Sequence, residues 1–171
     1  PHPLKTTTTP STQSNTPPQA TQGSSPNVGN VMCTDSNQVL WARRIKHDGW
    51  QFPQGGVKVD ESPDDAMYRE LREEIGLTSN HVEVIGRTSD WLRYDLPASC
   101  RRYGQSRFRG QKQLWFLLRL TGCDDDVCLN QSECPEFDHW QWVTYWQPLK
   151  QVVHFKRDVY QAALRELEAF L

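Results

Sequence analysis

Long hydrophobic runs are missing from this 171-residue chain. No apolar stretch approaches the roughly 18–20 residues that a membrane-spanning helix needs, so no membrane association is expected. Neither sign of charge is in clear excess, with 19 Lys and Arg against 21 Asp and Glu. The formal net charge is −2, which argues against a whole-chain electrostatic grip on nucleic acid but leaves room for a local basic groove. No charged-then-apolar opening reads as a secretion signal, and the first 25 residues lack the arginines of an organelle transit peptide, so a cytoplasmic protein is expected. Paired cysteine is absent too. Cys33, Cys100, Cys123, Cys128 and Cys134 form an odd set without a CxxC motif, which fits reduced thiols better than a disulfide framework. A zinc site from Cys123, Cys128, Cys134 and His139 would match no common ligand spacing.

What is present divides the chain at about residue 25. Residues 1–25 are nearly all Thr, Ser, Pro, Gln and Asn, with Lys5 the only fixed side-chain charge. Such a segment buries too little apolar surface to offset the entropy of ordering, so a disordered tail is expected there. Residues 26–171 have the length and apolar content for a single domain. Strands are expected at 28–33, 39–43, 82–88, 114–120 and 140–144, and helices at 63–75 and 158–170. Strands set between two helices indicate an α/β fold, a mixed sheet sandwiched between helices.

The helix at 63–75 has the clearest boundaries. Ser62 is an N-cap, Pro63 suits the first helical position, Asp65 completes a capping-box-like pair, and Gly76 stops the helix. On a 3.6-residue wheel, Glu70, Glu73 and Glu74 fall within an arc of roughly 100°, beside an apolar arc of Met67, Leu71 and Ile75. Glu70 and Glu74 repel at i,i+4, and one arginine, Arg69, does not neutralise the cluster. A hard divalent cation would, since Mg²⁺ takes oxygen ligands and bridges carboxylates to substrate phosphates. Taken alone, a helix face rich in Glu and Arg is more often simply solvated.

The residues around the helix decide between these readings. Gly55, Glu61 and the run Arg69-Glu70-Leu71-Arg72-Glu73-Glu74-Ile75-Gly76-Leu77 match every fixed position of Gx5Ex7REUxEExGU, where U is a bulky aliphatic. That is the signature of the Nudix hydrolases, and the chain resembles them. The resemblance implies a Nudix fold and hydrolysis of a phosphoanhydride in a nucleoside diphosphate linked to another moiety. It implies Mg²⁺, with Mn²⁺ or another divalent metal able to substitute, held by Glu70, Glu73 and Glu74. Gly55 lets the loop approach the helix, Glu61 is expected to support Arg69, and Gly76 ends the helix. The general base is left open between Glu70, Glu74 and Glu136.

Outside this box, nearly all of residues 26–170 resembles the bacterial RNA 5′-pyrophosphohydrolases, which also split dinucleoside polyphosphates. The blocks that carry the likeness include Pro-Asn-Val-Gly at 26–29, Trp-Gln-Phe-Pro-Gln-Gly-Gly at 50–56, Trp-Leu-Arg-Tyr at 91–94, Gly-Gln-Lys-Gln at 110–113 and Phe-Lys-Arg-Asp-Val-Tyr at 155–160. The implied substrate is 5′-triphosphorylated RNA with an unpaired 5′ end, or a dinucleoside polyphosphate, acted on by a monomer. Removal of pyrophosphate would leave a 5′-monophosphate and open the transcript to decay. Glu136 resembles the family's additional metal-binding carboxylate. Arg44, Lys112 and Lys156 are cations suited to phosphate oxygens. Tyr94, Phe155 and Arg44 offer flat faces for an unpaired base, and Gln111 a polar contact. Each has a plainer reading: Tyr94 and Phe155 as core aromatics, the cations as solvated strand ends. Ser25, Gly49 and Asn30 depart from the family's usual arginine, serine and apolar residue at those positions.

Overall fold

The computed structural model describes residues 24–47, 49–97 and 110–171. The expected tail up to residue 23, with Lys5, and Cys100 lie outside the described residues. Ser24 and Ser25, which the tail expectation included, belong to the first strand, where they pair with Gly110 and Gln111.

The domain is built around two long strands, β1 (Ser24–Cys33) and β7 (Gly110–Leu120), which run parallel along ten paired positions from Ser24↔Gly110 to Cys33↔Arg119. Both outer edges of this pair are shared. On β1, strand β2 (Val39–Arg44) takes the end at Cys33, and the short β4 (Gln54–Gly56) takes Asn27 to Gly29. On β7, β6 (Leu92–Asp95) takes residues 110–113 and β5 (Val82–Arg87) takes 116–120. Strands β3 (Trp50–Gln51) and β8 (Phe137–Val143) pair with β2. The sheet therefore forks, with β4 and β2 sharing one edge of β1.

Period-two alternation on β1 and β7 feeds two cores. Val28, Met32, Leu114, Phe116 and Leu118 meet Met67, Leu71 and Ile75 of helix α1 (Pro63–Ile75) on one face. Val31, Cys33, Trp115 and Leu117 meet Val159, Tyr160, Ala163, Leu164 and Leu167 on the other. That second layer is helix α3 (Arg157–Glu168), preceded by a one-turn α2 (Pro148–Gln151). The expected sandwich is present. A sheet covered on both faces explains why residues 114–118 are buried without interruption.

Helix α1 forms as its sequence dictates. Ser62 Oγ accepts from the Asp65 N–H at 3.1 Å, Pro63 opens the first turn, and Gly76 closes the helix at φ +72°. A side chain at Gly76 would also strike Cys128, so that position needs glycine twice over. Burying Met67, Leu71 and Ile75 contributes about 1.5–3 kcal/mol each. The Glu70–Glu74 repulsion, a few tenths of a kcal/mol in water and more where the pair is desolvated, is offset by this packing together with the hydrogen bonds that Arg69 and Gln54 donate to the two carboxylates. Among the described residues no helix is long and apolar enough to cross a membrane.

Candidate active site

The flank of α1 opens onto a cavity of about 290 Å³ lined by Glu70, Glu73, Glu74, Ser132, Glu133, Cys134 and Glu136. The loop before β8 brings Glu136 to the helix from more than 60 residues away in sequence. Glu133 and Cys134 line the same cavity and had no motif to mark them. Their only signal was the Ser-Glu-Cys-Pro-Glu run around Glu136.

Arg69 organises the rim. Its Nε and Nη2 hold the two Glu61 oxygens at 2.8 Å each, Nη2 also donates to the Gly56 carbonyl at 2.7 Å, and Nη1 donates to Glu70 Oε1 at 2.7 Å. This is the support expected of Glu61 and Arg69, and the fork brings Glu61 down to about 2. Glu70 is only 9% exposed and its carboxylate lies where a Cβ on Gly55 would stand, so Gly55 is there for close approach. Burial raises the Glu70 pKa and Arg69 opposes it. Glu74 is raised well above the ordinary carboxylate value, first by burial and then by Glu70 and Glu136, while the Gln54 N–H holds Glu74 Oε2 at 3.1 Å.

Carboxylates this crowded suit a hard, oxygen-seeking divalent cation. Among the described residues no three His, Cys, Asp or Glu side chains converge into a closed cage. Mg²⁺ does not need one: it keeps several waters and shares its coordination between one or two carboxylates and substrate phosphate. The donor set fits the metal.

The other residues singled out in the sequence fall into two groups. Tyr94, 8% exposed, lies with its ring centroid 6.0 Å from that of Phe155, and its hydroxyl donates to Gln111 Oε1 at 2.5 Å. Burial pushes Tyr94 up to about 12, with the Arg44 charge and a hydrogen bond from the Gln54 side chain opposing. Lys156 is buried, with Nζ 3.3 Å from Gln51 Oε1. Arg44 joins this side to the acidic cavity through Glu136 Oε1 at 3.2 Å. Lys112 stands apart. It neighbours Gln111 on β7 and so points to the opposite face, with Nζ 4.8 Å from the Trp91 ring centre. Gly49 has φ +123°, which a serine would strain to adopt, so that departure has a backbone reason. Asn30 is fully buried and neither of its side-chain polar atoms has a partner among the described residues.

The model of the NUDIX domain matches residues 23–163. The chain belongs to the Nudix family. This Nudix domain is 58% identical over 146 residues to the RNA pyrophosphohydrolase of Stenotrophomonas maltophilia (strain R551-3), covering 85% of this chain and 71% of that protein. Among solved structures it is similar to a C. elegans Ap4A hydrolase in a binary complex (TM-score 0.62, 20% identity, 85% of this chain and 96% of that one). It is also similar to the E. coli dihydroneopterin triphosphate pyrophosphohydrolase (TM-score 0.65, 18% identity, 82% of this chain and 96% of that one). At those identities the structural likeness establishes the Nudix fold.

Proposed function

We propose that this Nudix hydrolase removes pyrophosphate from the 5′ end of triphosphorylated RNA, leaving a 5′-monophosphate, in the cytoplasm and as a monomer. The observation that carries the substrate class is the 58% identity, across 85% of the chain, to a bacterial RNA pyrophosphohydrolase. The Ap4A hydrolase fold neighbour makes a dinucleoside polyphosphate the second reading.

In this reading Glu70, Glu73, Glu74 and Glu136 hold Mg²⁺, with Mn²⁺ a substitute. A metal bound there would supply charge neutralisation for the phosphate oxygens and a more acidic water. The chain's own residues do the rest. Gly55 and Arg69 fix the Glu70 carboxylate, and Gln54 fixes that of Glu74. Arg44 and Lys156 neutralise phosphate charge, while Phe155 and Tyr94 offer faces to an unpaired base and Gln111 a polar contact. Lys112, with Trp91 beneath it, contacts substrate from the α1 face of β7. Glu70, Glu74 or Glu136 takes the proton from the attacking water.

The test is a competition in Mg²⁺ buffer between a short 5′-triphosphorylated RNA with an unpaired 5′ end and diadenosine tetraphosphate. The expected result is a higher kcat/KM for the RNA, with monophosphorylated ends as product. A higher value for the dinucleotide would replace the RNA assignment by a scavenging hydrolase on the same metal site.

A further inference from the structure

Gln113 has no exposed surface, yet it sits in the sheet as one of three amides that close packing does not require. Its Nε2 donates to Asn27 Oδ1 at 2.9 Å and to Gln54 Oε1 at 3.2 Å. The strand register puts them there. Asn27 on β1 is paired with Gln113 on β7, and β4 lies along the other edge of β1 with Gln54 opposite Gly29. Gln113 Oε1 has no partner among the described residues, and an unpaired buried acceptor costs stability. A core chosen for stability alone would place an apolar side chain here.

Gln54 is the member of the trio that reaches the site. Its backbone N–H donates to Glu74 Oε2 at 3.1 Å, while its side-chain oxygen accepts from Gln113. One residue thus meets a carboxylate of the acidic cavity with its main chain and the buried amide of β7 with its side chain. β4 is only three residues long, Gln54-Gly55-Gly56, and two glycines leave it little stiffness of its own. The amide of Gln113 is the buried clamp on that strand.

We propose that Gln113 is a positioning residue for the hydrolytic site, setting Gln54 and through it the Glu74 carboxylate. The inference rests on the reading of Glu74 as a metal-holding carboxylate. Asn27 serves a different purpose. Its Oδ1 accepts from the same Gln113 Nε2 and steadies that amide, and without it Gln113 keeps its own bond to Gln54.

The experiment measures Mn²⁺ binding to the free protein by electron paramagnetic resonance, followed by steady-state kinetics on triphosphorylated RNA. Gln113→Met keeps the volume and removes the hydrogen bonds. It is expected to weaken Mn²⁺ binding by about 3–10-fold, the scale of one hydrogen bond, and to lower kcat and raise KM together. Gln54→Ala, at a half-buried position, keeps the N–H to Glu74 but loses the clamp, so it should reproduce the effect even if Gln113→Met fails to fold. The double variant should be no weaker than either single one, because both remove the same contact. Asn27→Ala should lower Tm and weaken Mn²⁺ binding less than Gln113→Met does, because the Gln113–Gln54 bond survives. Wild-type affinity in both Gln113→Met and Gln54→Ala would overturn the inference and leave the metal site standing. An equal loss in Asn27→Ala would also overturn it, by marking a general loosening of the sheet. A wild-type protein that binds no Mn²⁺ would overturn the reading of Glu74, and the inference with it.

Discussion

Arg44 donates its Nε hydrogen to Glu136 Oε1 across 3.2 Å, so a cation at the end of β2 meets a carboxylate of the acidic cavity with nothing between them. A half-exposed ion pair of this kind adds little stability, about 0–1 kcal/mol. Its place in the molecule is more informative. Substrate phosphate drawn to Arg44 would compete with Glu136 for the guanidinium, and a metal held by Glu136 would compete with Arg44 for the same oxygen.

Arg44→Ala is therefore expected to raise KM for triphosphorylated RNA by about tenfold, with kcat changed less. The Mg²⁺ concentration for half-maximal activity should not rise, since Glu136 loses a competitor. Steady-state kinetics across a Mg²⁺ titration reads both. A fall in kcat at unchanged KM would remove Arg44 from substrate binding.

Glu70→Ala and Glu73→Gln should each abolish turnover while circular dichroism shows an intact fold. Gly55→Ala should do nearly as much without touching a carboxylate, because the new Cβ occupies the space of the Glu70 carboxyl group. Displacing a reacting group by about an ångström costs on the order of 100-fold in rate. Near-normal rates in all three would discard the helix α1 site.

The pH dependence of stability should carry two opposite signs. Glu74 has a raised pKa in the folded, metal-free protein, from burial and then from Glu70 and Glu136. Its contribution is fully present below the ordinary carboxylate value and is lost as pH rises through the raised one. Glu74→Gln should then be the more heat-stable protein at pH 8 in chelator, with the advantage gone near pH 4, and inactive throughout. Mg²⁺ should raise the wild-type Tm more than the variant's. Glu61 behaves in reverse. Held down to about 2 by Arg69, it stabilises above the ordinary carboxylate range and its contribution disappears as pH falls towards 2. Thermal melts in metal-free buffers from pH 2 to pH 8 would show whether Glu61→Gln removes that acid sensitivity.

Asn30→Val should stabilise the protein. Asn30 is fully buried between Val28 and Met32 positions of β1, and both of its side-chain polar atoms lack partners among the described residues. Its backbone N–H bond to the Pro53 carbonyl, 2.9 Å, survives the change. Removing an unpaired buried amide is worth about 1–3 kcal/mol. Chemical denaturation measures it, and an unchanged midpoint would mean the amide is satisfied in solution.

Helix α1 was legible in the sequence because its determinants are local. Ser62, Pro63 and Gly76 set its ends, and the spacing of Met67, Leu71 and Ile75 set its buried face. The Arg69–Glu61 pair was legible for the same reason, being eight residues apart, with Glu61 just before the N-cap and Arg69 in the second turn of α1. The start of β7 at Gly110 was not. Gln111, Lys112 and Gln113 show no apolar alternation, and they are strand because β1 and β6 pair with them from far away in the chain.

What the amino-acid sequence determined by itself is the family, the α/β sandwich and the three glutamates of α1, since a motif and a helical period need no partner to be read. Which distant groups meet was left to the tertiary structure. Glu133 joins the cavity of the α1 glutamates and Glu136, Gln113 reaches Glu74 through Gln54, and Lys112 is turned to the face opposite Gln111. The reason is physical: contacts across a sheet depend on strand register, and register is set by the packing of the whole core.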